Sequence, residues 1–145
     1  MTASQPMPTG ADLRQKVWAI AMGGAYSMIL YMGIASTPLG DLRACGRLVG
    51  FMEATRFNEA VPADGLARGD TDYVLAEPGR VYIAYGDGGS CLGVSVLAGE
   101  YRVRWYDPVD GGWTDEGLQA LATGDRMFAK PGAIGAEAAL YLCTD

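Results

Sequence analysis

Gly99-Glu100-Tyr101-Arg102-Val103-Arg104-Trp105-Tyr106-Asp107-Pro108-Val109-Asp110-Gly111-Gly112 is the stretch whose reading decides the fold. Tyr101, Val103 and Trp105 fall on one side of an extended chain, and Arg102, Arg104 and Tyr106 fall on the other. A period of two is what a half-buried strand requires, because successive side chains point to opposite faces. The strand stops at Pro108, which has no ladder donor, while Asp107, Asp110, Gly111 and Gly112 supply turn chemistry. The stretch therefore predicts a central strand with Trp105 inside and Tyr106 outside, a tight loop, and a return beginning at Trp113.

Working outward, Tyr73–Ala76, Val81–Tyr85, Cys91–Leu97 and Ala136–Leu142 also read as short strands. Glu77-Pro78-Gly79, Gly86-Asp87-Gly88-Gly89-Ser90 and Ala98-Gly99-Glu100 separate them as turns, the spacing of a meander folded into a sandwich. Between Trp113 and Ala129, Leu118, Leu121 and Met127-Phe128 suggest one or two edge strands.

The chain before this region has a different period. Asp12 lies in the first turn of an expected helix from Ala11 to Met22, with Leu13, Val17, Ile20 and Ala21 on one face and Trp18 beside them. A second helix runs from Leu39 or Asp41 to Ala54, with Leu42, Cys45, Leu48, Val49 and Met52 as its apolar stripe. Arg56 to Asp70 reads as an irregular connection. Val17 to Ala35 carries no charge and admits three readings. It is a buried helix followed by a buried strand at Tyr26–Met32, an export signal cleaved after Gly33-Ile34-Ala35, or a membrane span. Gly23-Gly24 in its middle, with Tyr26, Ser27 and Tyr31, favours the buried core.

Composition excludes several chemistries. There is no histidine in 145 residues, which removes Ser-His-Asp and Cys-His catalysis and His-ligated zinc. A net charge of −6 argues against nucleic acid as a partner, since phosphate contacts need clustered Lys and Arg. Cys45, Cys91 and Cys143 form no CxxC pair. They are small buried apolar residues or, in an exported protein, a Cys91–Cys143 disulfide beside one free thiol. Gly86-Asp87-Gly88-Gly89-Ser90 joins two strands and lacks the Lys-Ser/Thr of a phosphate loop. No cofactor and no metal is expected, although Asp87, Asp107 and Asp110 are the oxygen ligands a calcium ion would use.

The order of these motifs resembles the C-terminal part of apiosidase-like glycoside hydrolases. The resemblance rests on a helix with Arg14 and Trp18, then Gly23-Gly24-Ala25, Tyr31, a second helix, Phe57 and Pro62. It continues through Asp72-Tyr73-Val74-Leu75-Ala76, Pro78 to Tyr85, and Gly99 to Pro108, the most specific piece. In that family a (β/α)8 barrel is followed by a β-sandwich often labelled a collagen-binding domain. The resemblance implies a mainly β chain: a flexible lead-in at 1–10, a two-helix, one-strand barrel remnant at 11–62, and an antiparallel sandwich at 68–145. The family's catalytic carboxylates lie on barrel strands with no counterpart here, so no catalytic residue is assigned.

The function implied is a non-catalytic accessory module, giving structural support and binding carbohydrate or matrix weakly, with a glycosidase barrel or a carbohydrate as partner. The alternatives are a small exported binding protein and a residual glycosidase using loop carboxylates such as Asp64, Asp70, Asp72, Asp107, Asp110 and Asp115. Tyr82, Tyr106 and Trp113 are the candidate ligand-binding aromatics, since Trp105 shares the inner face with Tyr101 and Val103.

Overall fold

The computed structural model of the chain describes residues 8–25 and 35–145. The expected strand at Tyr26–Met32 lies outside the described residues. Two helices come first, α1 (Gly10–Met22) and α2 (Leu39–Glu53). Nine strands follow: β1 (Val61–Pro62), β2 (Ala67–Gly69), β3 (Tyr73–Glu77), β4 (Val81–Gly86), β5 (Cys91–Val96), β6 (Gly99–Tyr106), β7 (Trp113–Leu121), β8 (Gly124–Ala129) and β9 (Ala138–Cys143). No helix among the described residues is long and apolar enough to cross a membrane.

Among the described residues the fold is mainly β, with two antiparallel sheets and two helices. One sheet has the order β1-β3-β4-β9-β6-β7 and the other β2-β5-β8. The region from Trp113 to Ala129 resolves into β7 and β8, an edge of each sheet. The Arg56–Asp70 stretch is more ordered than its composition suggests. It contains β1, which pairs Val61 with Ala76, and β2, which pairs Ala67 with Val94.

The central strands of the six-stranded sheet are buried on both sides, so the molecule has three layers. In β4, Tyr82 and Ala84 face the smaller sheet, while Val81, Ile83 and Tyr85 face the helices. In β9, Ala138, Leu140 and Leu142 face the smaller sheet, and Ala139, Tyr141 and Cys143 face the helices. This explains the unbroken apolar character of β4 and β9: a strand covered on both faces loses the alternation of a half-exposed one. In β6 the expected inner face holds, with Tyr101, Val103 and Trp105 fully buried between the sheets.

The helices meet the sheet through faces rotated from those expected. α1 buries Leu13, Val17, Trp18, Ala21 and Met22, and Ile20 is 42% exposed. α2 buries Asp41, Ala44, Leu48, Phe51 and Met52, and Val49 is exposed. Phe51 sets that rotation: its ring packs on Trp18 at 5.0 Å, Tyr106 at 5.0 Å and Trp113 at 5.4 Å. Asp41 is buried because its Oδ1 accepts the Gly10 N–H at 2.9 Å, satisfying an orphan donor at the start of α1.

Candidate functional site

The loop after β6 is fixed from within and from outside. The Asp107 N–H donates to Gly112 O at 2.9 Å and the Gly111 N–H to Asp107 O at 2.8 Å. Arg47 of α2 donates from Nη1 to Val109 O at 2.6 Å, and the Tyr106 hydroxyl donates to Arg47 O at 3.0 Å. Gly111 has φ +82, and a Cβ there would meet the Arg47 side chain at 3.4 Å, so both conformation and space favour glycine. The loop thus clamps α2 to the sheet.

Two of the three candidate aromatics are enclosed. Tyr106 is 3% exposed, because the face expected to be outside is covered by the helices. Tyr82 is 1% exposed, edge-on to Tyr101 at 5.8 Å, and its hydroxyl oxygen accepts the Gly79 and Leu97 N–H groups at 2.9 and 3.0 Å. It ties two turns together, and neither ring offers a face to solvent. Trp113 is 38% exposed, but its ring stacks on Phe51 and lies under the Arg104 guanidinium at 5.1 Å. Arg104 also sits over Tyr141 at 5.0 Å, a cation between two rings.

Each of the six loop carboxylates accepts a backbone N–H. Asp64 accepts the Val74 N–H, Asp70 those of Ser90 and Cys91, and Asp72 that of Asp87. Asp107 accepts the Val109 N–H, Asp110 that of Gly112, and Asp115 that of Gly117. The Cys91 and Ser90 amides hold the Asp70 carboxyl below its usual range, and the Gly117 amide does the same to Asp115. A carboxylate held ionised in a turn is poorly suited to giving up a proton as a general acid. The calcium arrangement of Asp87, Asp107 and Asp110 does not form: Asp107 and Asp110 serve their own loop, and Asp87 lies against Asp72. Among the described residues no group of three or more acidic or thiol side chains is placed to hold a metal ion. The three cysteines are free, with Cys143 buried and Cys45 and Cys91 half-buried.

A buried ion pair joins helix to sheet, and sequence reasoning missed it. Arg14 of α1 donates from Nε to both Glu137 oxygens, at 2.9 and 2.8 Å, and its Nη2 also contacts Oε1. The Tyr85 hydroxyl donates to Glu137 Oε2 at 3.2 Å. Glu137 is 4% exposed. The Glu137 hydrogen bonds hold the Arg14 proton more tightly than usual, while burial and then the Glu137 charge push the Tyr85 phenol up. With all its acceptors engaged, this acid locks the layers together. A charged residue immediately before a fully apolar strand was the available signal.

Beside the other flank of α1 lies a cleft of about 510 Å3, walled by Asp12, Gln15 and Lys16 on one side and Tyr73 and Asp87 on the other. Burial, then the Asp72 charge, raise the Asp87 carboxyl above its usual range. Where the C-terminal halves of α1 and α2 meet lies a groove of about 220 Å3, lined by Ala21, Ala25, Leu48, Val49, Met52 and Phe57 with a single charge, Glu53.

Comparison with solved structures gives the fold a context. A protein described as a glycoside hydrolase superposes with a TM-score of 0.67 at 16% identity, over 92% of this chain and 36% of its own. A glycoside hydrolase family 5 protein from Bacteroides vulgatus ATCC 8482 superposes with a TM-score of 0.69 at 13% identity, over 91% of this chain and 36% of its own. At these identities the likeness is one of fold: the chain spans about a third of the length of the glycoside hydrolases it matches. No family model matches the chain, and no curated protein does.

Proposed function

We propose that this chain is a non-catalytic accessory module of an apiosidase-like glycoside hydrolase, in which the helix pair seats against a catalytic barrel and the sandwich buttresses it. The observation that carries the reading is the outer face of the helix pair. The sheet-facing sides of α1 and α2 are already buried, yet Ile20 and Val49 remain exposed and an apolar groove runs beside Val49. Exposed apolar surface of this kind marks an interaction site. That the fold corresponds to about a third of longer glycoside hydrolases supports a larger body as the occupant. Weak carbohydrate or matrix binding belongs to the same reading; of the aromatics singled out by sequence, Tyr82 and Tyr106 are enclosed and the Trp113 ring is already engaged by Phe51 and the Arg104 guanidinium.

Two experiments test it. The purified chain should hydrolyse no aryl glycoside, and turnover that vanishes in Asp107→Asn or Asp110→Asn would sink the accessory role. The genomic sequence upstream should encode barrel strands, and that polypeptide, co-expressed, should elute with this chain on a sizing column. Val49→Asp should separate the two while leaving the melting temperature of this chain unchanged. A missing upstream reading frame, or a pair that never associates, would overturn the docking.

A further inference from the structure

We propose that the cleft between α1 and the start of β3 is a saccharide-binding site, with Tyr73 as its stacking surface. This deepens the carbohydrate part of the reading above, and the docking of the helix face stands or falls without it.

The cleft volume, about 510 Å3, lies within the range of small-molecule sites. One wall comes from a single stripe of α1. Asp12, Gln15, Lys16 and Ala19 are spaced three, four and seven residues along the helix and so share a face. The opposite wall is Tyr73 at the start of β3 and Asp87 just past β4, strands that pair Tyr73 with Tyr85.

Tyr73 is the outer member of a three-ring stack. Trp18 and Tyr85 lie 5.1 Å apart with their planes 10° from parallel, and Tyr85 and Tyr73 lie 6.4 Å apart at 14°. The inner two rings are fully buried, so the half-buried Tyr73 ring is backed by a fixed column and needs little ordering when a ligand stacks on it. Asp87 is held as well, its N–H donating to Asp72 Oδ2 at 3.0 Å.

The lining selects the class of ligand. A saccharide presents an apolar C–H face and a rim of hydroxyls that both donate and accept. The aromatic wall suits the face. Gln15 donates and accepts, Lys16 donates, and Asp12 and Asp87 accept. Two carboxylates against one ammonium disfavour a phosphate or other anion.

The test is a titration of the purified, isotope-labelled chain with cellobiose, xylobiose and lactose, each to about 20 mM, well above the millimolar range of weak binding. At least one disaccharide should move the amide signals of Gln15, Tyr73 and Asp87 saturably. Tyr73→Ala should weaken binding about tenfold and Gln15→Ala about threefold, corresponding to roughly 1.4 and 0.7 kcal/mol. Tyr73→Phe, which keeps the ring, should bind nearly as the parent does. It covers the case in which Tyr73→Ala fails to fold. Trp113→Ala should leave the affinity unchanged. Silence with all three sugars, an unchanged affinity in Gln15→Ala, or shifts centred on Trp113 would each overturn the assignment. None of these results bears on whether Val49→Asp releases a barrel.

Discussion

Trp105 and Tyr106 are chain neighbours whose rings lie in different hydrophobic cores, on opposite sides of one sheet. Trp105 sits opposite Leu140 of β9 and faces the smaller sheet. Tyr106 sits opposite Ala139 and meets Phe51, Trp18 and Trp113 under the helices. One peptide bond therefore couples the sandwich to the helix layer.

Both residues should be costly to truncate. Trp105→Ala is expected to destabilise by about 3–5 kcal/mol, and Tyr106→Ala by a similar amount, as for large aromatics in a core. Tyr106→Phe keeps the ring and loses only the bond to Arg47 O, worth about 1 kcal/mol. Urea unfolding of the three variants measures this. A Trp105→Ala protein as stable as the parent would mean that the two faces of β6 are reversed.

The Arg14–Glu137 pair should behave asymmetrically. Glu137→Ala strands a largely buried guanidinium and should cost about 3–5 kcal/mol. The double variant Arg14→Leu with Glu137→Leu removes both charges and should cost distinctly less than Glu137→Ala alone. If it costs more, the pair contributes net stability beyond satisfying itself.

Asp70 should shape the acid limb of stability. Its folded-state carboxyl lies below the ordinary 3.8 because the Cys91 and Ser90 amides favour the ionised form. Its contribution is thus present above that ordinary value and is lost as pH falls through the lower, folded one. Asp70→Asn should melt lower than the parent at pH 7, and the gap should close in acid. A gap that stays constant with pH would show that the charge is immaterial.

Asp87 has the opposite sign. Its folded-state carboxyl lies above the ordinary 3.8, through burial and the facing Asp72. Its relative stabilisation is present below that value and is lost as pH rises through the folded one. Asp87→Asn should therefore raise the stability at pH 7, by about 0.3 kcal/mol given how exposed pairs are screened, and bring nothing near pH 3. A loss of stability at pH 7 would mean that the carboxylate makes a favourable contact.

The strands were legible because turn residues punctuate them and because β6 alternates cleanly. What stayed hidden was which faces are covered. Tyr82 and Tyr106 alternate away from the residues expected inside, which reads as outside only if the sheet has one buried face. A second apolar layer makes both parities internal, and the unbroken apolar run of β9 was the clue. The stripe on α2 was drawn through Val49 because hydropathy alone cannot rank it below Phe51, whose aromatic partners lie on α1, β6 and β7. The Tyr73 cleft was illegible for another reason. Its walls come from residues more than fifty positions apart in the chain, and no local pattern joins them.

β9 lies between β4 and β6 although it is the last strand in sequence. On a ribosome, β4 and β6 therefore emerge with bare edges and wait until Cys143 has left the exit tunnel before the sheet can close. Two unpaired apolar edges held open through synthesis invite pairing with a neighbouring nascent chain. The yield of folded protein should thus respond to translation pace and chaperone supply while β9 is being made, independently of how stable the finished molecule is.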